Sequence, residues 1–226
     1  MDNAKEFKSY YTKHLYKPSS NLDYYSKQIE GSMTPYILEE REMRATQIDI
    51  FSRLMRDRIL WVAGEVNDNM STIVQAQLMF LDSADNSDIT MHIDSPGGSV
   101  KSGLSMVDVM QYISCDIRTV NTGMAASMGS VLLGAGTKGK RSSLKFSKTM
   151  LHQTSGGAGG NIQDARINFV EWEKTNKILF ELLGEFCGKS PEQVTEDASR
   201  DFWLSADEAL EYGIIDEIVK TKKKGK

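Results

Sequence analysis

Ile89-Thr90-Met91-His92-Ile93-Asp94-Ser95-Pro96-Gly97-Gly98-Ser99-Val100 is the stretch on which the fold turns. Its first part, Ile89 to Ile93, is apolar and β-branched and follows the turn-rich residues Asp82 to Asp88, so it reads as a strand. Ser95-Pro96-Gly97-Gly98 then opens a helix running to about Tyr112. Downstream, Ile117 to Asn121 makes another strand, and a further helix is expected from about Ala126 to Leu133. Upstream, Arg58 to Ala63 reads as a buried strand, followed by an amphipathic helix from about Asn69 to Leu81 with Ile73, Ala76, Met79 and Phe80 on one side. Strands alternating with helices at this spacing predict an α/β fold built on a parallel sheet.

Further out the pattern loosens. Regular structure is expected to begin near Asp49, with helical spacing from Asp49 to Met55. Residues 1 to 34 are polar, lysine- and tyrosine-rich, and read as an N-terminal extension or propeptide. The body then spans 35–219, and the lysines of 220–226 form a solvated tail. Ile162 to Phe186 carries Ile167, Val170, Ile178, Leu179, Leu182 and Leu183 at helical intervals. That length exceeds a minimal crossover, so the helix should project from the body with its apolar stripe covered by a partner subunit. Ser205 to Leu210 is a short capped helix stopped by Gly213, before a last strand from Ile214 to Val219.

Composition narrows the function. The chain has 226 residues, 40% hydrophobic and 26% charged, which suits one sizeable domain. Its net charge of −4 gives no general attraction to phosphate backbones or anionic lipid, so neither nucleic acid nor a membrane is an expected partner. No run is long and uniform enough to span a bilayer, and the N-terminus lacks a secretory apolar core, which leaves the cytoplasm. Cys115 and Cys187 lie far apart in apolar settings and read as buried free thiols. The three histidines and two cysteines form no zinc-like cluster, and no metal or other cofactor is expected.

Three features carry chemistry. Gly123-Met124-Ala125-Ala126-Ser127-Met128-Gly129-Ser130 follows a strand and opens a helix. A nucleophile on a tight strand-to-helix turn needs tiny neighbours, and free N–H groups there suit an oxyanion. A serine among Gly and Ala is equally the mark of an N-cap. Asp94 to Val100 ends in two glycines whose backbone can approach a ligand or pair with an extended peptide, although a plain β–α turn has the same composition. His152 stands at the end of the apolar Met150-Leu151 and before a glycine-rich stretch, whereas His14 lies in the extension and His92 in mid-strand. One such histidine is only a candidate base; Ser, His and a later carboxylate together are what acyl transfer requires.

These segments, with Met150-Leu151-His152-Gln153, Arg200-Asp201-Phe202-Trp203-Leu204-Ser205-Ala206 and Glu211-Tyr212-Gly213, resemble the ClpP family from about Pro35 to Val219, in order and spacing. The resemblance implies the crotonase-like ClpP fold of repeated strand–strand–helix units, with Ile162 to Phe186 as a projecting handle. It also implies a serine endopeptidase that hydrolyses unfolded proteins and peptides inside an oligomeric chamber. Ser127 falls on the nucleophile, His152 on the base and Asp201 on the third member. The backbone N–H groups of Gly98 and Met128 fall on the oxyanion hole. Gly98, Ser99 and Val100, facing Ser155, Gly156 and Gly157, match segments that hold substrate as an added β-strand. The implied assembly is a homo-oligomer of two stacked heptameric rings, fed by an AAA+ unfoldase such as ClpX, ClpA or ClpC.

Several positions depart from the family. Thr90, His92, Thr122 and Ser142 stand where large apolar or aromatic side chains line the unfoldase-docking pocket, which implies altered docking. Thr154 and Ser155 replace a proline and an apolar residue beside the scissile bond, and Gly159 and Asn161 replace glutamines in the handle. Ser199 stands where an acidic residue pairs with the ring-interface arginine, here Arg200. Two other readings compete: a scaffold subunit in a mixed ClpP assembly, and a crotonase-like acyl-CoA enzyme, which would not need the Ser–His–Asp set.

Overall fold

The computed structural model describes residues 36–41, 44–155 and 161–220. The expected extension over 1–34, Gly156 and Gly157 of the substrate segment, Gly159, and the tail beyond Lys220 lie outside the described residues. The chain divides into two units, Met1–Arg53 and Leu54–Lys226. In the first, β1 (Tyr36–Arg41) and β2 (Arg44–Asp49) pair antiparallel with Arg41 opposite Arg44; α1 (Ile50–Arg56) follows β2 directly, and its residues from Leu54 onward belong to the second unit. Among the described residues regular structure is therefore present from Tyr36, ahead of the expected Asp49; the polar, alternating run from Glu39 to Gln47 carries little of the apolar patterning that signals a strand.

The second unit is the α/β body. Its sheet runs β3 (Ile59–Ala63), β4 (Ile89–Ser95), β5 (Ile117–Ala126), β6 (Arg141–Ser143) and β9 (Glu217–Ile218), all parallel. Two further strands branch from β5: β7 (Lys148–Leu151) pairs with it in parallel, and β8 (Phe202–Leu204) pairs antiparallel with β7. The buried faces of β3, β4 and β5, with Leu60, Val62, Met91, Ile93 and Ile117, pack against helices α2 (Asp68–Ala84) and α3 (Val100–Tyr112) and α4 (Met128–Gly134). The long α5 (Ile162–Cys187) is followed by α6 (Pro191–Asp197) and α7 (Ala206–Tyr212). No helix among the described residues is long and apolar enough to cross a membrane.

Most elements fall where the sequence predicts them, with instructive exceptions. In α2 the buried apolar side chains are Val74, Leu78 and Leu81, whereas Ile73, Met79 and Phe80 are more than half exposed. The helix has two apolar stripes, and the sequence alone does not say which one the sheet takes. The stripe of α5 also divides: Leu179, Phe180 and Leu183 are buried in the chain's own body, while Ile162, Ile167, Phe169 and Val170 stay exposed. The expected strand from Ile214 to Val219 shrinks to Glu217–Ile218, because Ile214 and Ile215 turn into the core after the left-handed Gly213. The sequence pattern does not announce β6, β7, β8 or α6, because runs of three to seven residues seldom carry a readable period. Cys115 is buried, but its sulfur lies 3.2 Å from both the Arg58 guanidinium and the Asp82 carboxylate, a polar niche in place of the expected apolar one. Cys187 is only partly buried, yet enough to push its thiol up to about 11.

The course of β5 decides where the site lies. Its first half pairs with β6 as far as Asn121, and its second half pairs with β7 from Met124 onward. Buried Asn121 spans the change of partner: its side-chain amide donates to the Lys148 carbonyl (2.9 Å) and to Thr149 Oγ1 (3.2 Å). Its own carbonyl accepts from the Leu144 N–H and the Ser147 hydroxyl, so no polar group is stranded at the splice.

Candidate active site

Three neighbouring strands each end on one of the predicted residues. The last ladder pair of β5 and β7 is Ala126 with Met150, so Ser127 leaves one strand as Leu151 and His152 leave the next. Across the other side of β7, Leu151 pairs with Phe202 in an antiparallel ladder. The next pair along that ladder would be His152 with Asp201. Residues distant in sequence thus meet because the sheet register puts them at one edge.

Ser127 occupies the N-cap position of α4, but its side chain makes no capping hydrogen bond. The hydroxyl instead lies 2.8 Å from His152 Nε2. Its backbone is strained, with φ 53 and ψ −123, a region that costs a residue with a Cβ about 1–3 kcal/mol. Two things hold it there. The Ser127 N–H donates to the Met150 carbonyl (2.9 Å), and Gly97 packs so closely that a Cβ on it would come within 2.6 Å of the Ser127 Cβ. Gly97 is therefore required by contact as well as by its φ of +93.

On the other face of the imidazole, Nδ1 is 3.4 Å from Asp201 Oδ1. With Nδ1 carrying the proton toward the carboxylate, Nε2 is left to accept from the Ser127 hydroxyl. The aspartate side chain is 64% exposed and the histidine 23%, so water reaches the carboxylate more readily than the imidazole. The segment after His152 is tied down at once: Gln153 N–H donates to the Ala198 carbonyl (3.1 Å) and Thr154 N–H to Asn176 Oδ1 on α5 (2.9 Å).

Gly98 faces the same opening. It forms a parallel bridge with Val66, in which the Val66 N–H donates to the Gly97 carbonyl and the Ser99 N–H to the Val66 carbonyl, both at 2.8 Å. A parallel bridge of this kind uses the neighbours of Gly98, so the Gly98 N–H points away from Val66. Its φ of +147 and the approach of the Val66 carbonyl exclude any Cβ. Ser99 caps α3, its hydroxyl accepting from the Ser102 N–H at 3.3 Å, while its backbone runs past the opening. A cavity of about 50 Å³ is lined by Gly98, Val100, Ser127, Met128, His152 and Ser155, together with Leu179 and Leu183 of α5. The leucines and Asn176 were missed in the sequence: the leucines lie on the stripe expected to meet a partner subunit, and nothing local marks Asn176, whereas Thr154, already noted beside the scissile bond, also lines the cavity. Arg200 makes no ion pair among the described residues, and no group of three or more His, Cys, Asp or Glu side chains among them could hold a metal ion.

A serine freed from capping, in contact with an oriented imidazole beside an open strand edge, places the chain in the class of serine-type endopeptidases. Comparison with known proteins gives the family. The family model described as Clp protease matches residues 40–222. The chain is 48% identical over 218 residues to an ATP-dependent Clp protease proteolytic subunit of Bacteroides fragilis, covering 96% of this chain and 99% of that one. It is 46% identical over 220 residues to the subunit of the same description in Porphyromonas gingivalis, with 97% and 99% covered. A third, from Ligilactobacillus salivarius, is 44% identical over 194 residues, with 85% and 98% covered. The chain belongs to the Clp protease family.

Proposed function

We propose that Ser127, His152 and Asp201 form the catalytic set of this peptidase, and that Gly98 and Met128 supply its oxyanion N–H groups. The observation that carries this reading is the 2.8 Å contact between His152 Nε2 and a serine hydroxyl that does no capping. Ser127 Oγ attacks the scissile carbonyl as its proton passes to His152 Nε2. The new C–O bond puts negative charge on the former carbonyl oxygen, which the two N–H groups receive. Collapse breaks the C–N bond, and His152 returns the proton to the departing amine. Water, deprotonated by the same imidazole, then releases the acid and restores Ser127. Asp201 orients the ring and steadies its cation.

Substrate enters as an extended strand between Ser99–Val100 and the segment that starts at Ser155, with Gly156 and Gly157 continuing it. Main-chain pairing makes the activity tolerant of sequence, as suits unfolded proteins and peptides. The exposed apolar stripe of Ile162, Ile167, Phe169 and Val170 supports a handle buried between subunits, in an assembly of two heptameric rings working in the cytoplasm. A fluorophosphonate probe should label Ser127 alone, and Ser127→Ala should lose both labelling and peptide hydrolysis; hydrolysis that survives the substitution defeats the assignment.

The relatives' description as ATP-dependent supports an AAA+ unfoldase partner, with docking weakened at four positions. Thr122 and Ser142 turn their hydroxyls back to the carbonyls of Ile93 and Thr119, each at 3.2 Å, and His92 stacks on Trp61 with ring centroids 4.8 Å apart. Thr90 is small, so an apolar anchor finds little to fill at these positions. Loss of each large side chain costs about 1–3 kcal/mol of apolar burial. Pulldown with ClpX, ClpA or ClpC should give weak retention; firm binding that depends on the unfoldase's docking loops would overturn this part.

A further inference from the structure

A second, larger hollow of about 640 Å³ adjoins the cavity at Ser127. The two share Gly98, Val100, Thr154 and Ser155, but Ser127 and His152 line only the first. The hollow is walled by Leu104 on α3 and by Trp172 and Thr175 on α5, with Lys101 and Asp108 at its margins. Resting on the catalytic reading proposed above, we infer that this hollow is a specificity subsite, which receives a bulky apolar or aromatic side chain on the third substrate residue before the cut.

The argument is one of spacing. In an extended peptide, side chains two residues apart point the same way and lie about 6.6–6.8 Å apart. The cavity beside Ser127, lined by Leu179 and Leu183, takes the side chain immediately before the scissile bond. Thr175 precedes Leu179 by four residues on the same helix, a displacement of about 6 Å, and Trp172 lies about 4.5 Å further. The helix therefore offers its second pair of lining residues one strand repeat from its first. The side of the cut follows from the lining: the hollow shares Gly98, Val100, Thr154 and Ser155 with the first cavity but not Ser127 or His152, as suits a residue on the acyl side. Thr154, held to Asn176 on α5, keeps the strand edge beside this lining.

The lining selects the ligand. The Trp172 ring is partly buried and Leu104 faces the same space, so an apolar ring or branched chain gains contact area there. Lys101 and Asp108 are one of each sign, which gives the site no net charge to attract an acidic or basic residue.

The test uses two fluorogenic tripeptide amides that differ only in their first residue, tryptophan or glycine. Wild type should favour the tryptophan substrate about tenfold in kcat/KM. Trp172→Ala should bring that ratio close to one, Trp172→Phe should restore much of it, and discrimination at the residue beside the cut should persist in both. Leu104→Ser, from the opposite wall, should lower the ratio independently and covers the case in which a helix substitution disturbs folding. Binding of the same two peptides to Ser127→Ala reads the subsite without turnover, so failure of the catalytic reading is seen separately. A wild-type preference near one in both hydrolysis and binding, or a ratio unchanged in Trp172→Ala and Leu104→Ser, overturns the inference.

Discussion

Replacing His152 by alanine is expected to lower kcat/KM for peptide hydrolysis at least about 10³-fold, and replacing Asp201 by asparagine only about tenfold. The difference follows from geometry. His152 Nε2 is at hydrogen-bond distance from the Ser127 hydroxyl, 2.8 Å, and no other base among the described residues is in contact with that hydroxyl. Removing it leaves the nucleophile protonated through the step in which it must attack. Asp201 stands at 3.4 Å from Nδ1, beyond an ordinary hydrogen bond, and its side chain is 64% exposed. At such a separation in water, two unit charges interact by about 1 kcal/mol, close to one factor of ten in rate. A water at the same position can also hold the Nδ1 tautomer. Steady-state kinetics on the two variants, with labelling of Ser127 as a check on the remaining site, measures the contrast. Equal losses would mean that the carboxylate closes on the ring in the working enzyme and that the open geometry is not the reacting one.

Much of this site was legible because its parts sit at element boundaries, where sequence signals are strongest. Pro96-Gly97-Gly98 marks the end of β4, and Gly123 to Ser130 marks a tight exit from β5; both need glycine for reasons a sequence can state. Periodicity alone gave the helices but not their orientation. The α2 stripe of Ile73, Met79 and Phe80 is as apolar as that of Val74, Leu78 and Leu81, and only the sheet decides between them. The convergence of Ser127, His152 and Asp201 depends on β7 pairing with both β5 and β8, and those strands of four and three residues are too short to announce themselves. Here the family resemblance supplied what the local pattern did not. Asn121 and Asn176 were invisible for a related reason: each acts through a backbone carbonyl or N–H far away in sequence, and a polar residue does not name its partner.

The largest effect on stability should come from Asp216, which no motif singled out. Arg141, 2% exposed, begins β6 and spends its whole guanidinium inside the body. It reaches Asp216 through Nε (2.8 Å) and Nη2 (2.6 Å), the Phe186 carbonyl through Nη1 (2.8 Å) and the Gly213 carbonyl through Nη2 (3.0 Å). The last two are carbonyls at the C-terminal ends of α5 and α7, where a cation is favoured. Asp216→Asn leaves that cation buried without its counter-charge, which should cost about 3–5 kcal/mol. Arg141→Met with Asp216→Leu should recover most of the loss, since the desolvation of both ions disappears with them. Burial alone would raise the Asp216 carboxyl, but the Arg141 side chain, the backbone N–H groups of Arg141 and Gly139, and the Arg141 charge outweigh it and hold the group below its ordinary value. A depressed carboxylate stabilises the fold above its unfolded value of about 3.9 and loses that contribution as pH falls through the folded one. Urea midpoints of wild type and Asp216→Asn should therefore lie far apart at neutral pH and draw together in acid. A gap at neutral pH of under about 1 kcal/mol, the range of an exposed pair, would mean that water already reaches the guanidinium and that this pair does not tie the two helix ends to the sheet.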